Sequence, residues 1–154
     1  MFEHTVMDIA AGFACWSRWL TRATGALLVL LGAVHLVATP FYIGWASRMV
    51  SPDSAQLMVA AMRLNHILTG ILLIPLGIST FWAGGALHQP WAFRLATINA
   101  VTTLSLPVLL VLTVPAESLD APLFRLAILV LVLACLTQVA ALGAFWMLRR
   151  GDPA

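Results

Sequence analysis

Four apolar stretches, each about twenty residues or longer, constrain this 154-residue chain more than any other feature. They cover about residues 19–39, 64–84, 91–114 and 123–148. A helix of about 20 apolar residues crosses the hydrocarbon core of a bilayer, where every backbone polar group must be paired inside the segment itself. Only 9% of the residues are charged and 62% are apolar, too little polar surface to cover a water-soluble domain of this size. The expected fold class is therefore all-α: a polytopic membrane protein built as a four-transmembrane-helix, up-down-up-down bundle. It forms one transmembrane domain over residues 1–154, with the lipid bilayer as its first partner.

The breaks between the stretches set the expected boundaries. Residues 1–17 are mixed and read as an interfacial helix, with Phe13, Trp16 and Trp19 at headgroup depth. Pro40 marks the end of span one, and Tyr42 and Trp45 supply rings for the water boundary. An extramembrane loop and helix start fill 40–63, where Ser51-Pro52-Asp53 combines a hydroxyl cap, a first-turn proline and an acid at the positive dipole end. Pro75 is a tolerated kink in span two, which Gly84-Gly85 ends, and His88-Gln89-Pro90 make a tight connection to span three. Glu117 and Asp120 lie in the next turn, and Arg149-Arg150 close span four.

The formal charge of +2 comes from arginine with no lysine, a sparse balance that argues against a nucleic-acid partner. Arg18, Arg22, Arg94, Arg149 and Arg150 fall on one side of the expected bundle. Arg48, Arg63 and Arg125 fall on the other, together with Asp53, Glu117 and Asp120. This bias puts both termini in the cytoplasm, in a membrane of the bacterial inner-membrane type. Glu3 and Asp8 precede any basic residue, unlike a cleavable signal, so the first span is expected to be retained. Cys15 and Cys135 are far apart in depth and read as small buried hydrophobes rather than a disulfide or a metal pair.

A short echo links the first two spans. Thr24-Gly25 with Gly32 matches Thr69-Gly70 with Gly77, each in a Thr-Gly-x-Leu-Leu-x-x-Leu-Gly frame. Glycines seven apart fall within about 20° on a helical wheel, and small residues let membrane helices approach closely. Gly25, Gly32, Gly70 and Gly77 are thus expected to pack spans one and two, face to face and inverted. Asn99 and Gln138 would be costly towards lipid and are expected inside the bundle, paired directly or through water.

The two span histidines are the one feature that points towards chemistry. His35 lies near the outer end of span one and His66 near the outer start of span two, at similar depth. On the wheel His35 is about 60° from Gly32 and His66 about 40° from Gly70, towards the shared face. Two neutral imidazoles on rigid elements at one level could ligate haem b or a metal, with Arg63 and Asn65 beside a propionate or a quinone carbonyl. The plainer reading is a hydrogen bond to backbone or a ring reaching for water. His4 and His88 read as interface residues.

The run Ser17-Arg18-Trp19-Leu20-Thr21-Arg22-Ala23-Thr24-Gly25 resembles the segment that opens the first membrane helix in cytochrome b-type membrane anchor subunits of succinate dehydrogenase. That resemblance implies quinone contact for Ser17 and Arg22, and haem b ligation for His66 in its His-x-x-x-Gly setting. The chain also has a general likeness to small four-helix bacterial membrane proteins.

Three functions follow. The first is a non-catalytic helical subunit or accessory protein that packs against a larger membrane complex, since no nucleophile, acid–base pair or phosphate loop is evident. The second is a b-type haem or quinone redox anchor using His35 and His66. The third is a small transporter, against which stands the lack of a mid-membrane acid or base.

Overall fold

The structure, a computed structural model, describes residues 2–48, 51, 55–113 and 122–151. These residues are helical almost throughout: α1 is Phe2–Ala46, α2 Ala55–Gly85, α3 Pro90–Thr113 and α4 Pro122–Gly151. All four are long and apolar enough to cross a membrane. At 1.5 Å per residue α1 is about 68 Å long, more than twice the thickness of a bilayer core. The helix start expected at Ser51-Pro52-Asp53 and the turn holding Glu117 and Asp120 lie outside the described residues, apart from the backbone of Ser51.

The first boundary differs from expectation. Pro40 does not end α1, which runs through it to Ala46, and the expected interfacial helix at 1–17 is continuous with the same rod from Phe2 onward. Proline removes the bond its own N–H would have made to the Leu36 carbonyl and crowds that oxygen, a local cost that long apolar helices accommodate. The apolar run resumes with Phe41, Tyr42 and Ile43, and no glycine or second proline follows before Gly44 to reinforce the break. The segment 40–63 is accordingly helical at both ends, over 40–46 and 55–63.

Each helix packs against two neighbours: α1 against α2 and α4, and α3 against the same two. Along α1 and α2 the contacts run in reverse order, Gly25 meeting Gly77 and Gly32 meeting Gly70. A Cβ on Gly25 would lie 2.6 Å from the Gly77 carbonyl oxygen, and one on Gly77 2.6 Å from the Gly25 carbonyl oxygen. Glycine is needed here because the two backbones occupy the space a side chain would take. The middle of the bundle is filled by Leu28, Leu31, Leu73, Leu131 and Ala134. At one end, Ala83, Leu87, Ala92, Ala96 and Phe145 pack the α2–α3 turn, with the Phe93 and Phe145 rings 5.2 Å apart.

Polar side chains pin the helices between these layers. Thr24 of α1 and Thr137 of α4 share a 2.6 Å hydrogen bond. Asn99 Nδ2 donates to Ser79 Oγ at 2.9 Å and Thr80 Oγ1 at 3.0 Å. Both hydroxyls give their own protons to the Leu76 carbonyl, so only an N–H can face them, which fixes the orientation of the amide. The expected direct Asn99–Gln138 hydrogen bond is therefore not formed. Gln138 instead donates from Nε2 to the Ala96 carbonyl at 3.4 Å, and its Oε1 is buried without a partner among the described residues. Asn99 turns towards α2 because two acceptors wait there, whereas Gln138 offers only one.

Cys135 has a more particular place than a small hydrophobe. Pro107 has no N–H for the Thr103 carbonyl four residues back, and the Cys135 thiol of α4 donates to that oxygen at 3.7 Å.

Candidate functional site

The glycine seam carries α1 and α2 towards the histidines. Gly32 lies one turn before His35, and Gly70 one turn after His66, so the register that sets Gly32 against Gly70 also sets the imidazoles side by side. The ring centroids are 4.7 Å apart, with the planes tilted by 34°. Tyr42, two turns beyond His35 on the same helix, stacks on His66 at 4.6 Å and 17°. Trp45 lies 6.1 Å from Tyr42 and extends the aromatic column. Both histidines are half-buried.

The hydrogen bonds determine which ring nitrogen carries the proton. His35 Nδ1 is 2.9 Å from the Leu31 carbonyl, which can only accept, so Nδ1 of His35 is the N–H. Thr39 donates its single hydroxyl proton to the His35 carbonyl at 2.7 Å. It therefore meets His66 Nδ1, 2.9 Å away, as an acceptor, and Nδ1 of His66 is also an N–H. In its neutral form each imidazole is then left with an Nε2 lone pair. Helix α1 thus supplies both acceptors, one from backbone and one from Thr39.

The other expected site residues lie elsewhere. Arg63 and Asn65 are exposed on α2 beside His66, and the Asn65 backbone carbonyl accepts from Thr69 at 2.8 Å. Ser17 is fully buried and its hydroxyl turns back to the Phe13 carbonyl at 2.9 Å. Arg22 lies against Gly84 and Gly85, with its guanidinium carbon 5.4 Å from the centre of the Phe81 ring. Gly84 is eighteen residues, about 27 Å, along α2 from His66, so the residues the resemblance assigns to quinone and to haem occupy opposite ends of the bundle. Arg18 and Arg22, with Ala14, Cys15 and Trp19, line an open groove of about 410 Å³ at that far end. His88 is exposed in the α2–α3 turn.

Haem b does not fit between His35 and His66 as they stand. Two imidazoles on opposite faces of one iron need ring centres about 6 Å apart: two metal–nitrogen bonds of about 2 Å plus the half-rings beyond them. The rings here are 4.7 Å apart, too close to admit a porphyrin plane. Among the described residues no group of three or more His, Cys, Asp or Glu could hold a metal ion.

Thr39 and Tyr42 were not among the expected site residues. They lie four and seven residues after His35, on the same helical face; ending the helix at Pro40 hid Tyr42, whereas Thr39 lay inside the expected span and only the partner helix reveals its role. No family model, curated protein or solved structure matches the chain, so the functional reading rests on its own residues.

Proposed function

We propose that the protein is an integral membrane, four-span, up-down-up-down bundle that serves as a non-catalytic helical subunit or accessory protein of a larger membrane complex. Both termini lie on the arginine-rich cytoplasmic side, in an inner-membrane type of bilayer. The observation that carries this reading is the way polar groups are used. The interior amide and hydroxyls of Asn99, Ser79, Thr80, Thr24 and Thr137 are spent on one another and on backbone. Large apolar side chains, meanwhile, face outward on every helix, Val37, Leu72, Leu112 and Leu136 among them. Arg18, Arg22, Arg63, Arg94 and Arg125 are exposed, so none of them lines an internal path. Such a bundle offers other proteins and lipid a rigid apolar surface.

The test is purification from native membranes at native expression, in a mild detergent, with subunit composition read by native mass spectrometry. A partner polypeptide at fixed stoichiometry, lost together with this chain on deletion of either gene, is expected. A chain that elutes alone at native expression refutes the subunit role, and a chain found in the aqueous supernatant refutes the membrane reading itself.

A further inference from the structure

We infer that His35 and His66 form a two-imidazole binding site for a first-row divalent metal ion of the copper, nickel or zinc type, held side by side on the ion through their Nε2 atoms. The inference goes beyond the subunit reading and does not depend on it.

Three observations support it. The first is the proton arrangement. In metal-bound histidine the ring nitrogen remote from the metal donates to a carbonyl or another acceptor, which fixes the tautomer and raises the basicity of the ligating nitrogen. That arrangement is already built at both rings, through the Leu31 carbonyl for His35 and the Thr39 hydroxyl for His66. The second is spacing. Two imidazoles on adjacent positions of a tetrahedral or octahedral ion have ring centres about 4.4–5.1 Å apart, from metal–nitrogen bonds of about 2 Å. The observed 4.7 Å lies in that interval, while it is too short for ligation from opposite sides.

The third is rigidity. Gly32 and Gly70 hold the two backbones in contact one turn away, and Tyr42 covers one face of His66, so little order has to be gained on binding. Both rings are half-buried rather than sealed in the bundle, and the rest of the coordination sphere would have to come from water. Imidazole nitrogen favours copper, nickel and zinc over magnesium or calcium, which want oxygen. With two protein ligands the ion keeps open positions, the pattern of a site that exchanges its metal or presents it rather than one that locks the fold. Thr39 is a positioning residue here, acting only through His66.

Copper(II) is the probe, because its paramagnetic resonance spectrum counts the nitrogens bound. The tag-free protein in detergent is titrated with copper, alongside His4→Ala/His88→Ala, which removes the other two imidazoles of the chain. One copper per chain is expected in both, with the nitrogen splitting of two imidazoles in the double variant. His35→Gln and His66→Gln each abolish that signal, and Thr39→Val weakens binding by 10- to 100-fold, as loss of an outer hydrogen-bond partner does. Absence of stoichiometric binding overturns the inference. So does a copper signal in the His4→Ala/His88→Ala background that survives His35→Gln and His66→Gln together. The nitrogen count on otherwise unaltered protein decides the matter even if a glutamine variant fails to fold.

Discussion

Replacing Gly25 with alanine puts a methyl carbon 2.5 Å from the amide nitrogen of Phe81, 2.6 Å from the Gly77 carbonyl oxygen and 2.8 Å from Phe81 Cα. All three are backbone atoms, so no side chain can rotate aside. Ordinary non-bonded carbon contacts begin near 3.5 Å, and α1 and α2 must therefore part by close to 1 Å at this crossing. A gap of that size forfeits about a quarter to a half of each contact along the seam, and overpacked sites typically cost about 1–3 kcal/mol. Gly25→Ala is expected in the upper half of that range, about 2–3 kcal/mol. Gly77→Ala should match it, because its methyl would lie 2.6 Å from the Gly25 carbonyl oxygen and 2.7 Å from the Val29 nitrogen. At Gly32 and Gly70 the added carbon would lie 2.8 Å from the side chains of Ile74 and Leu36 and 2.9 Å from the carbonyl oxygen of the facing glycine, a slightly looser crossing, so about 1–2 kcal/mol is expected there. Gly12, Gly44 and Gly143 have nothing within 4 Å of an added Cβ, and alanine should be neutral or stabilise by up to ~1 kcal/mol through helix propensity. The assay is equilibrium unfolding in mixed micelles of rising dodecyl sulfate fraction, followed by circular dichroism. The double variant Gly25→Ala/Gly77→Ala should cost less than the sum of the singles, because the first methyl already opens the crossing they share. Equal stability shifts at Gly25 and Gly12 would falsify the close α1–α2 approach.

The same unfolding assay reads two further changes. Asn99→Ala removes the bonds to Ser79 and Thr80 and is expected to cost about 0.5–1.5 kcal/mol; no loss would mean that the α2–α3 contact does not depend on the amide. Gln138→Leu keeps similar volume and removes an orphaned buried oxygen, so stability should hold or rise by up to ~1 kcal/mol, and a clear loss would reveal a hydrogen-bond donor at Oε1. Maleimide labelling of the folded protein in detergent should modify the exposed Cys15 quickly and the buried Cys135 only after denaturation; equal rates would contradict the placement of Cys135 against α3.

The sequence by itself determined that the chain is helical, and roughly where. Long apolar runs with proline and glycine between them leave the backbone no other way to pair its polar groups in an apolar setting. It also placed His35 and His66 on the faces that carry Gly32 and Gly70, since helical periodicity relates residues along a single rod. What it could not determine was how one rod is rotated against the next, because helices apolar all round carry no stripe that selects a neighbour. Tertiary packing decided that Asn99 turns to Ser79 and Thr80 rather than to Gln138, and that the Cys135 thiol meets the carbonyl left free by Pro107. Packing decided the histidine site too. Thr39 and Tyr42 follow His35 along a helix that outlasts Pro40, and the tautomer of His66 depends on a hydroxyl contributed by the opposite helix. A proton's position on an imidazole is set by the atom across the gap, and that atom is known only once the two backbones meet.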